Sequence, residues 1–211
     1  MISHTSFKHG WYYHYRIHDD KAANLTNGFI SLKDYLYKVF KNCPNDYFDK
    51  GPRGSALKFK LPLGIKQEVG HEVSMLTKYG LEVNDERFSS NHSKVQMFML
   101  EHDHKTIAIE VPLWAECSEI DHFKDVFRCE EPLTGHIDVL RIEDGKIWIW
   151  DYKPNARLEE YAATQTYFYA LMLSKRTGIP LENFMCGYFD SAYAFMFKPE
   201  KNVIKVNKKL I

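Results

Sequence analysis

The pair Asp144-Gly145 stands between two runs rich in β-branched and aromatic residues, Thr134 to Ile142 and Lys146 to Lys153. Both residues tolerate the left-handed backbone that a two-residue hairpin turn demands, so the pattern predicts two antiparallel strands in a defined register. With Glu143 set against Lys146, counting outward places Asp138 opposite Asp151 and His136 opposite Lys153. Side chains alternate along a strand, so His136 and Asp138 share a face, as do Asp151 and Lys153. Trp148, Trp150 and Tyr152 take the opposite face of the second strand, which suits packing on a core.

Directly opposed residues have Cβ atoms about 4.5–5.5 Å apart, and like charges at that separation repel. Two facing carboxylates therefore need a counter-charge. A hard divalent cation such as Mg²⁺ takes one or two carboxylates plus waters and substrate phosphate, and Lys153 adds a mobile positive charge beside it. Such a set suits phosphodiester hydrolysis: the metal polarises a phosphoryl oxygen and acidifies a water, and the lysine stabilises developing negative charge. A solvated hairpin whose acids merely oppose one another has the same pattern, and the geometry alone leaves both readings open.

The rest of the chain reads as one mixed α/β (α+β) domain around a central sheet. Residues 1–60 read as irregular, with a helix from Ser31 to about Asn42. A helical stretch from Gly64 to Tyr79 follows, stopped by Gly80 as a cap. Lys94 to Glu101 and Lys105 to Trp114 read as strands, with Ile107, Ile109, Val111 and Leu113 on one face and the polar group Glu101, His102, Asp103 and His104 in the turn between them. Beyond the hairpin come a helix from about Leu158 to Arg176, ended by Gly178, and strands at Phe184 to Phe189 and Tyr193 to Phe197. Residues 64–198 form the expected core, and residues 199–211 a tail whose Lys201, Lys205, Lys208 and Lys209 continue a basic run begun at Lys198.

The 211 residues balance 28 basic against 28 acidic side chains, so any nucleic-acid surface is a local patch rather than a property of the whole chain. The N-terminal mix from Lys8 to Arg16 interleaves rings with cations; such mixtures stack bases or serve equally as core aromatics with a polar edge. Cys43, Cys117, Cys129 and Cys186 show no C-x-x-C pair and read as free thiols. With no apolar leader and no long apolar run, the expectation is a soluble, intracellular (cytoplasmic) protein. Phosphate-loop, dinucleotide, zinc-protease and nucleophile-elbow motifs are all missing.

Gly135-His136-Ile137-Asp138, then Trp150-Asp151-Tyr152-Lys153, then Gln165-Thr166-Tyr167-Phe168-Tyr169 together resemble the PD-(D/E)XK nucleases. The order G-x-x-D, D-Y-K, Q-x-x-x-Y looks more narrowly like the RecB-type branch, which includes CRISPR-associated RecB-like exonucleases. The likeness covers about Thr134 to Arg176. It implies a restriction-endonuclease-like core, a mixed sheet flanked by helices. It makes Asp138, Asp151 and the Tyr152 main-chain carbonyl ligands of Mg²⁺ or Mn²⁺, Lys153 the catalytic lysine, and Gln165 and Tyr169 the residues that position DNA or support the site. The branch also has an upstream helix that contributes a His or Glu near the metal. His71 is the first candidate, with Glu68 and Glu72 as fallbacks, and Glu110 matches an acidic strand position near the metal. Only Cys186 follows the Q-x-x-x-Y helix, so no iron–sulfur cluster is expected, and the chain reads as a stand-alone nuclease domain.

The resulting expectation is a Mg²⁺- or Mn²⁺-dependent deoxyribonuclease of DNA repair, recombination or replication, acting on single strands, ends, flaps or junctions. A non-cleaving DNA-binding module, a dimeric Holliday-junction resolvase and a structural metal-binding protein are the alternatives. Neither an oligomer interface nor a choice between endo- and exonuclease action is legible.

Overall fold

The computed structural model describes residues 1–201, 203 and 204. Its strands, in chain order, are β1 (Ile2–His9), β2 (Trp11–His18), β3 (Lys66–Val69), β4 (Thr106–Ala115), β5 (Leu133–Glu143), β6 (Lys146–Tyr152), β7 (Phe184–Phe189) and β8 (Tyr193–Phe197). Its helices are α1 (Asp19–Leu25), α2 (Ile30–Lys41), α3 (Glu72–Val83), α4 (Asn91–His102), α5 (Phe123–Phe127) and α6 (Ala162–Thr177). The strands form one sheet in the order β1-β2-β4-β5-β6-β7-β8-β3, antiparallel throughout except between β6 and β7. A parallel pair needs a crossover, and α6 supplies it. No helix among the described residues is long and apolar enough to cross a membrane.

Two cores sandwich the sheet. On one face α2 and α6 pack Leu36, Phe168 and Leu173 against Val111, Ile137 and Ile149. On the other, α3 and α4 bring Val73, Val95 and Leu100 onto Ile109, Trp150 and Phe189. Nearly every residue of α6 from Ala162 to Leu173 is buried, and its buried Thr164, Gln165 and Thr166 are each hydrogen-bonded within the protein. Gly187 lets Trp150 lie flat on β7, since a Cβ there would collide with the indole.

The hairpin stands as its turn residues dictate. Asp144 and Gly145 both take positive φ, at 49° and 67°, and Glu143 faces Lys146. The strands at Phe184–Phe189 and Tyr193–Phe197 fall where expected, and Gly178, at φ 72°, ends α6.

Four expectations are corrected. Residues 94–101 form a helix: Ser90 accepts a hydrogen bond from the Ser93 N–H and caps α4. Val95, Met97 and Met99 alternate as a strand would, but Val95/Met99 and Gln96/Leu100 also stand four apart, and the cap decides between the two periods. The stretch from Gly64 to Tyr79 divides into β3 and α3, parted by Gly70 at φ 68°. Gly80 lies inside α3, where a Cβ would press within 2.9 Å of Phe98, so it serves helix packing and not termination. The N-terminal part, expected to be irregular, opens with the β1–β2 hairpin, whose turn is Gly10 at φ 75°.

The fourth correction concerns Asp103, expected in a solvated turn. It is 5% exposed and meets the fully buried Arg141 at 2.8 Å. Arg141 also reaches Glu72 at 2.6 Å and Glu143 at 3.3 Å, and Lys105 bridges the same two glutamates. This network ties α3, α4, β4 and β5 together at one end of the sheet. Lys198 and Lys201 are exposed, and Lys205, Lys208 and Lys209 lie outside the described residues.

Replacing Arg141 with Met strands a buried carboxylate, and loss of one partner of a buried pair costs about 3–5 kcal/mol. Urea unfolding of Arg141→Met should show that loss, and Arg141→Met/Asp103→Leu should recover part of it. A wild-type midpoint in the single variant would contradict the role assigned to the pair.

Candidate active site

The β5–β6 ladder runs from Glu143↔Lys146 to Val139↔Trp150 and stops there. At the next position the Asp138 side chain replaces the backbone, its Oδ2 accepting the Tyr152 N–H at 2.9 Å. The strands part, so Asp138 and Asp151 do not form a regular cross-strand pair. On the other side of β5, Glu110 takes a left-handed φ of 54°, a conformation costly for a residue with a Cβ. The kink falls between the pairs Ile109↔Val139 and Val111↔Ile137, alongside Asp138.

These departures open a cleft of about 640 Å³ lined by Glu110, Asp138, Asp151, Lys153, Gln165 and Tyr169. Asp151 is 1% exposed. Its Oδ1 accepts a 2.6 Å hydrogen bond from Gln165 Nε2, and Lys153 Nζ lies 2.6 Å from its Oδ2. Apart from that ion-pair approach, Oδ2 is buried without a hydrogen-bond partner. Gln165 also donates to the Tyr169 hydroxyl at 3.0 Å, as their spacing of four along α6 allows. The Tyr169 ring fills the space a Cβ on Gly135 or on Gly54 would need. That contact explains the glycine three residues before Asp138.

Charge is crowded here. Burial, then the Asp138 carboxylate, pushes the pKa of Glu110 upward. Burial, then Asp151, does the same to Asp138. Burial would lower Lys153, but Asp151 and Asp138 outweigh it and hold the ammonium above the ordinary lysine value. One lysine does not neutralise three neighbouring acids. Among the described residues no three His, Cys, Asp or Glu side chains close on one point as a finished ion cage. Mg²⁺ asks for less, since it completes its shell with water and phosphate. The crowded carboxylates of Asp138 and Asp151 and the strained Glu110 fit a cation of that kind.

The structure also says which residues are not here. His71 caps α3, accepting from the Val73 N–H at 3.2 Å, and leans on the Trp150 ring outside the cleft. Glu72 belongs to the Arg141 network, and Glu68 pairs with Lys66. The histidine beside the acids is His92, whose Nε2 lies 3.8 Å from Asp138 Oδ2 and whose ring meets Tyr152 edge-on. Gln96, one helical turn on, donates to Glu110 at 2.6 Å. Both lie on α4, so reading that segment as a strand hid them. The signal was Ser90 and Ser93 as a helix start, with His92 and Gln96 four apart behind it. His136 lines the cleft too, stacked on Tyr13 at 3.7 Å and joined to the buried His9 at 2.9 Å.

Residues 20–207 match the family model of the PD-(D/E)XK nuclease superfamily. The chain belongs to that superfamily. No curated protein and no solved structure matches the chain. The eight-stranded mixed sheet flanked by helices agrees with the restriction-endonuclease-like fold of PD-(D/E)XK proteins, which are nucleases that generally use divalent metals such as Mg²⁺.

The raised acids make a pH prediction. A carboxyl whose folded value lies above its unfolded one, about 4, binds more protons when folded, so its contribution to stability falls as pH rises through that window. In EDTA, stability should therefore decline from about pH 4 toward neutrality, and Glu110→Gln should flatten the decline. Mg²⁺ should raise the melting temperature at neutral pH more in wild type than in Glu110→Gln. Identical pH slopes for the two proteins, measured by urea unfolding, would contradict the crowding.

Proposed function

We propose that this chain is a divalent-metal-dependent deoxyribonuclease that hydrolyses DNA phosphodiester bonds in the cleft beside Asp151. The observation that carries the reading is the convergence of Glu110, Asp138, Asp151 and Lys153 on one opening, with Lys153 2.6 Å from the buried Asp151 carboxylate. Asp138 and Asp151 are the proposed ligands of Mg²⁺ or Mn²⁺, with Glu110 and the main-chain carbonyl of Tyr152 as further oxygen donors. When bound there, the cation supplies Lewis-acid charge to a phosphoryl oxygen and acidifies a water.

The protein's own part is positioning and charge. Hydrolysis forms a bond from water oxygen to phosphorus and breaks one to the leaving oxygen, and negative charge grows on the phosphoryl oxygens meanwhile. Lys153, held beside Asp151, is placed to stabilise that charge. Gln165 fixes Asp151 and is itself steadied by Tyr169. His92 takes the helix-borne position beside the acids for which the sequence had suggested His71. The contact from the Q-x-x-x-Y helix to the Asp151 carboxylate supports a kinship with the RecB-type branch, and repair, recombination or replication is the proposed setting.

Cleavage of end-labelled single-stranded, duplex, flap and junction DNA, with Mg²⁺, Mn²⁺ or EDTA, tests this. Lys153→Ala and Asp138→Ala should each lower the cleavage rate about 10²–10³-fold or more. Gln165→Ala, which loses an outer support of the site, should cost about 10–100-fold, and His71→Ala little. Retained cleavage in a folded Lys153→Ala protein would refute the assignment.

A further inference from the structure

Two large rings stand in solvent at the lip of the cleft. Trp11 is 76% exposed and Tyr12 62% exposed, and both line the same opening as Asp138, Asp151 and Lys153. Exposed rings of this size gain little for the fold, and both border an opening able to receive a ligand. They sit on the part of β2 that runs past β4 and is paired with β1 alone. β2 pairs with β4 only through Arg16↔Ile109 and Ile17↔Ala108, so residues 11–15 project beyond that ladder.

The tip is nevertheless held firmly. Arg53 closes on the carbonyl of His9 and on the Tyr13 hydroxyl. Tyr13 stacks on His136, which leads directly to Asp138. A Cβ on Gly10 would run into the Arg53 guanidinium, so the turn and its clamp fit each other. Two rings on a rigid mount lose little freedom when they pack against a ligand.

The rest of the opening suits a nucleic-acid strand. Arg16 supplies positive charge in the lining of the same opening, and the start of α4, with Ser90 and Ser93, forms another part of it. Helix starts and hydroxyls receive phosphates. A volume of about 640 Å³ is of the size that encloses one small ligand, which leaves room for nucleotides of one strand. Aromatic platforms beside a basic groove take unpaired bases, because only an unstacked base offers its face.

We propose, building on the nuclease reading, that the β1–β2 tip is a stacking platform. Trp11 and Tyr12 receive bases of one DNA strand while Arg16 and the start of α4 meet its phosphates, and the substrate class is single-stranded or frayed-end DNA. The platform orients the strand so that its backbone crosses the acids and Lys153.

The test uses the full chain in EDTA, so that binding is read without cleavage. Fluorescence anisotropy follows a labelled mixed-sequence single strand, its blunt duplex, and a strand with abasic sites in place of bases. The double variant Trp11→Ala/Tyr12→Ala should bind the single strand roughly 5- to 100-fold more weakly and the duplex about as wild type does. The single strand should quench tryptophan fluorescence and the abasic strand should not. Trp11→Phe should keep most of the affinity while losing the quench. Both rings are exposed, so an unchanged melting temperature certifies that the variants fold. Unchanged single-strand affinity in the double variant, or an equal loss for single strand and duplex, would overturn the platform. Wild-type protein that binds and is quenched by the single strand, yet cuts no DNA with any metal, would retain the platform and remove the nuclease. Metal-dependent cleavage unaffected by the double variant would do the reverse.

Discussion

The hydrogen bond from the Tyr152 N–H to the Asp138 carboxylate holds the site in place. It stands where the β5–β6 ladder runs out, at the first position where a side chain and not a carbonyl meets the opposing strand. Had the ladder continued, Asp138 and Asp151 would face each other on a flat pleat with no room between them. Because a carboxylate bridges the gap, the strands separate while remaining tied. The separation admits α4 from one face, through His92 and Gln96, and α6 from the other, through Gln165 and Tyr169.

Two acid-rich clusters in the same sheet show how differently repulsion can be handled. At one end Asp103, Glu72 and Glu143 surround Arg141 and Lys105 in a set of short bonds that leaves Arg141 wholly enclosed. Each acid there has its cation, so the cluster serves as a fastening. In the cleft, Asp138 and Asp151 share Lys153, Glu110 has only the charge of Arg16 near it among the described residues, and Glu110 is held at positive φ. Repulsion and backbone strain of this sort persist only where the surrounding structure enforces them. The cation deficit is what a divalent metal offsets, and it is also why the metal-free site resists full ionisation.

Legibility in the sequence followed how local each signal was. The Asp144-Gly145 turn sets a register by itself, so the hairpin, the strands after it and the acid–acid–lysine set could be read from their residues alone. Gln165 and Tyr169 were readable through the resemblance of Q-x-x-x-Y to the RecB-type pattern, and their spacing of four put them on one helical face. The α4 segment was not, because Val95, Met97 and Met99 satisfy two periods at once and only the Ser90 cap breaks the tie. That one ambiguity hid His92 and Gln96 and let His71 stand in their place. The β1–β2 hairpin escaped because a lone glycine turns it and its strands carry hydroxyls and imidazoles where apolar residues usually alternate. Glu110 was noticed as an acid, but its left-handed backbone, set alongside the point where β5 and β6 part, has no local signature.

The same contacts that build the acid cluster also set how far the exposed rings stand from it. Gln165 grips Asp151, and Tyr169, one turn along α6, is wedged against Gly54 and Gly135. Gly54 follows Arg53 directly, and the neighbouring Pro52 carbonyl accepts the Thr134 N–H at 3.0 Å, strapping this segment to β5. Arg53 then clamps the β1–β2 tip, and the His9–His136 contact closes the circuit back to β5 two residues from Asp138. Every step in this loop is a buried or half-buried contact between elements distant in sequence. Trp11 and Tyr12 are thus referenced to the acids through packed side chains and not through a flexible arm. A platform so fixed can define where along a bound strand the scissile phosphate falls, which makes the hairpin part of the cutting geometry as well as of the grip.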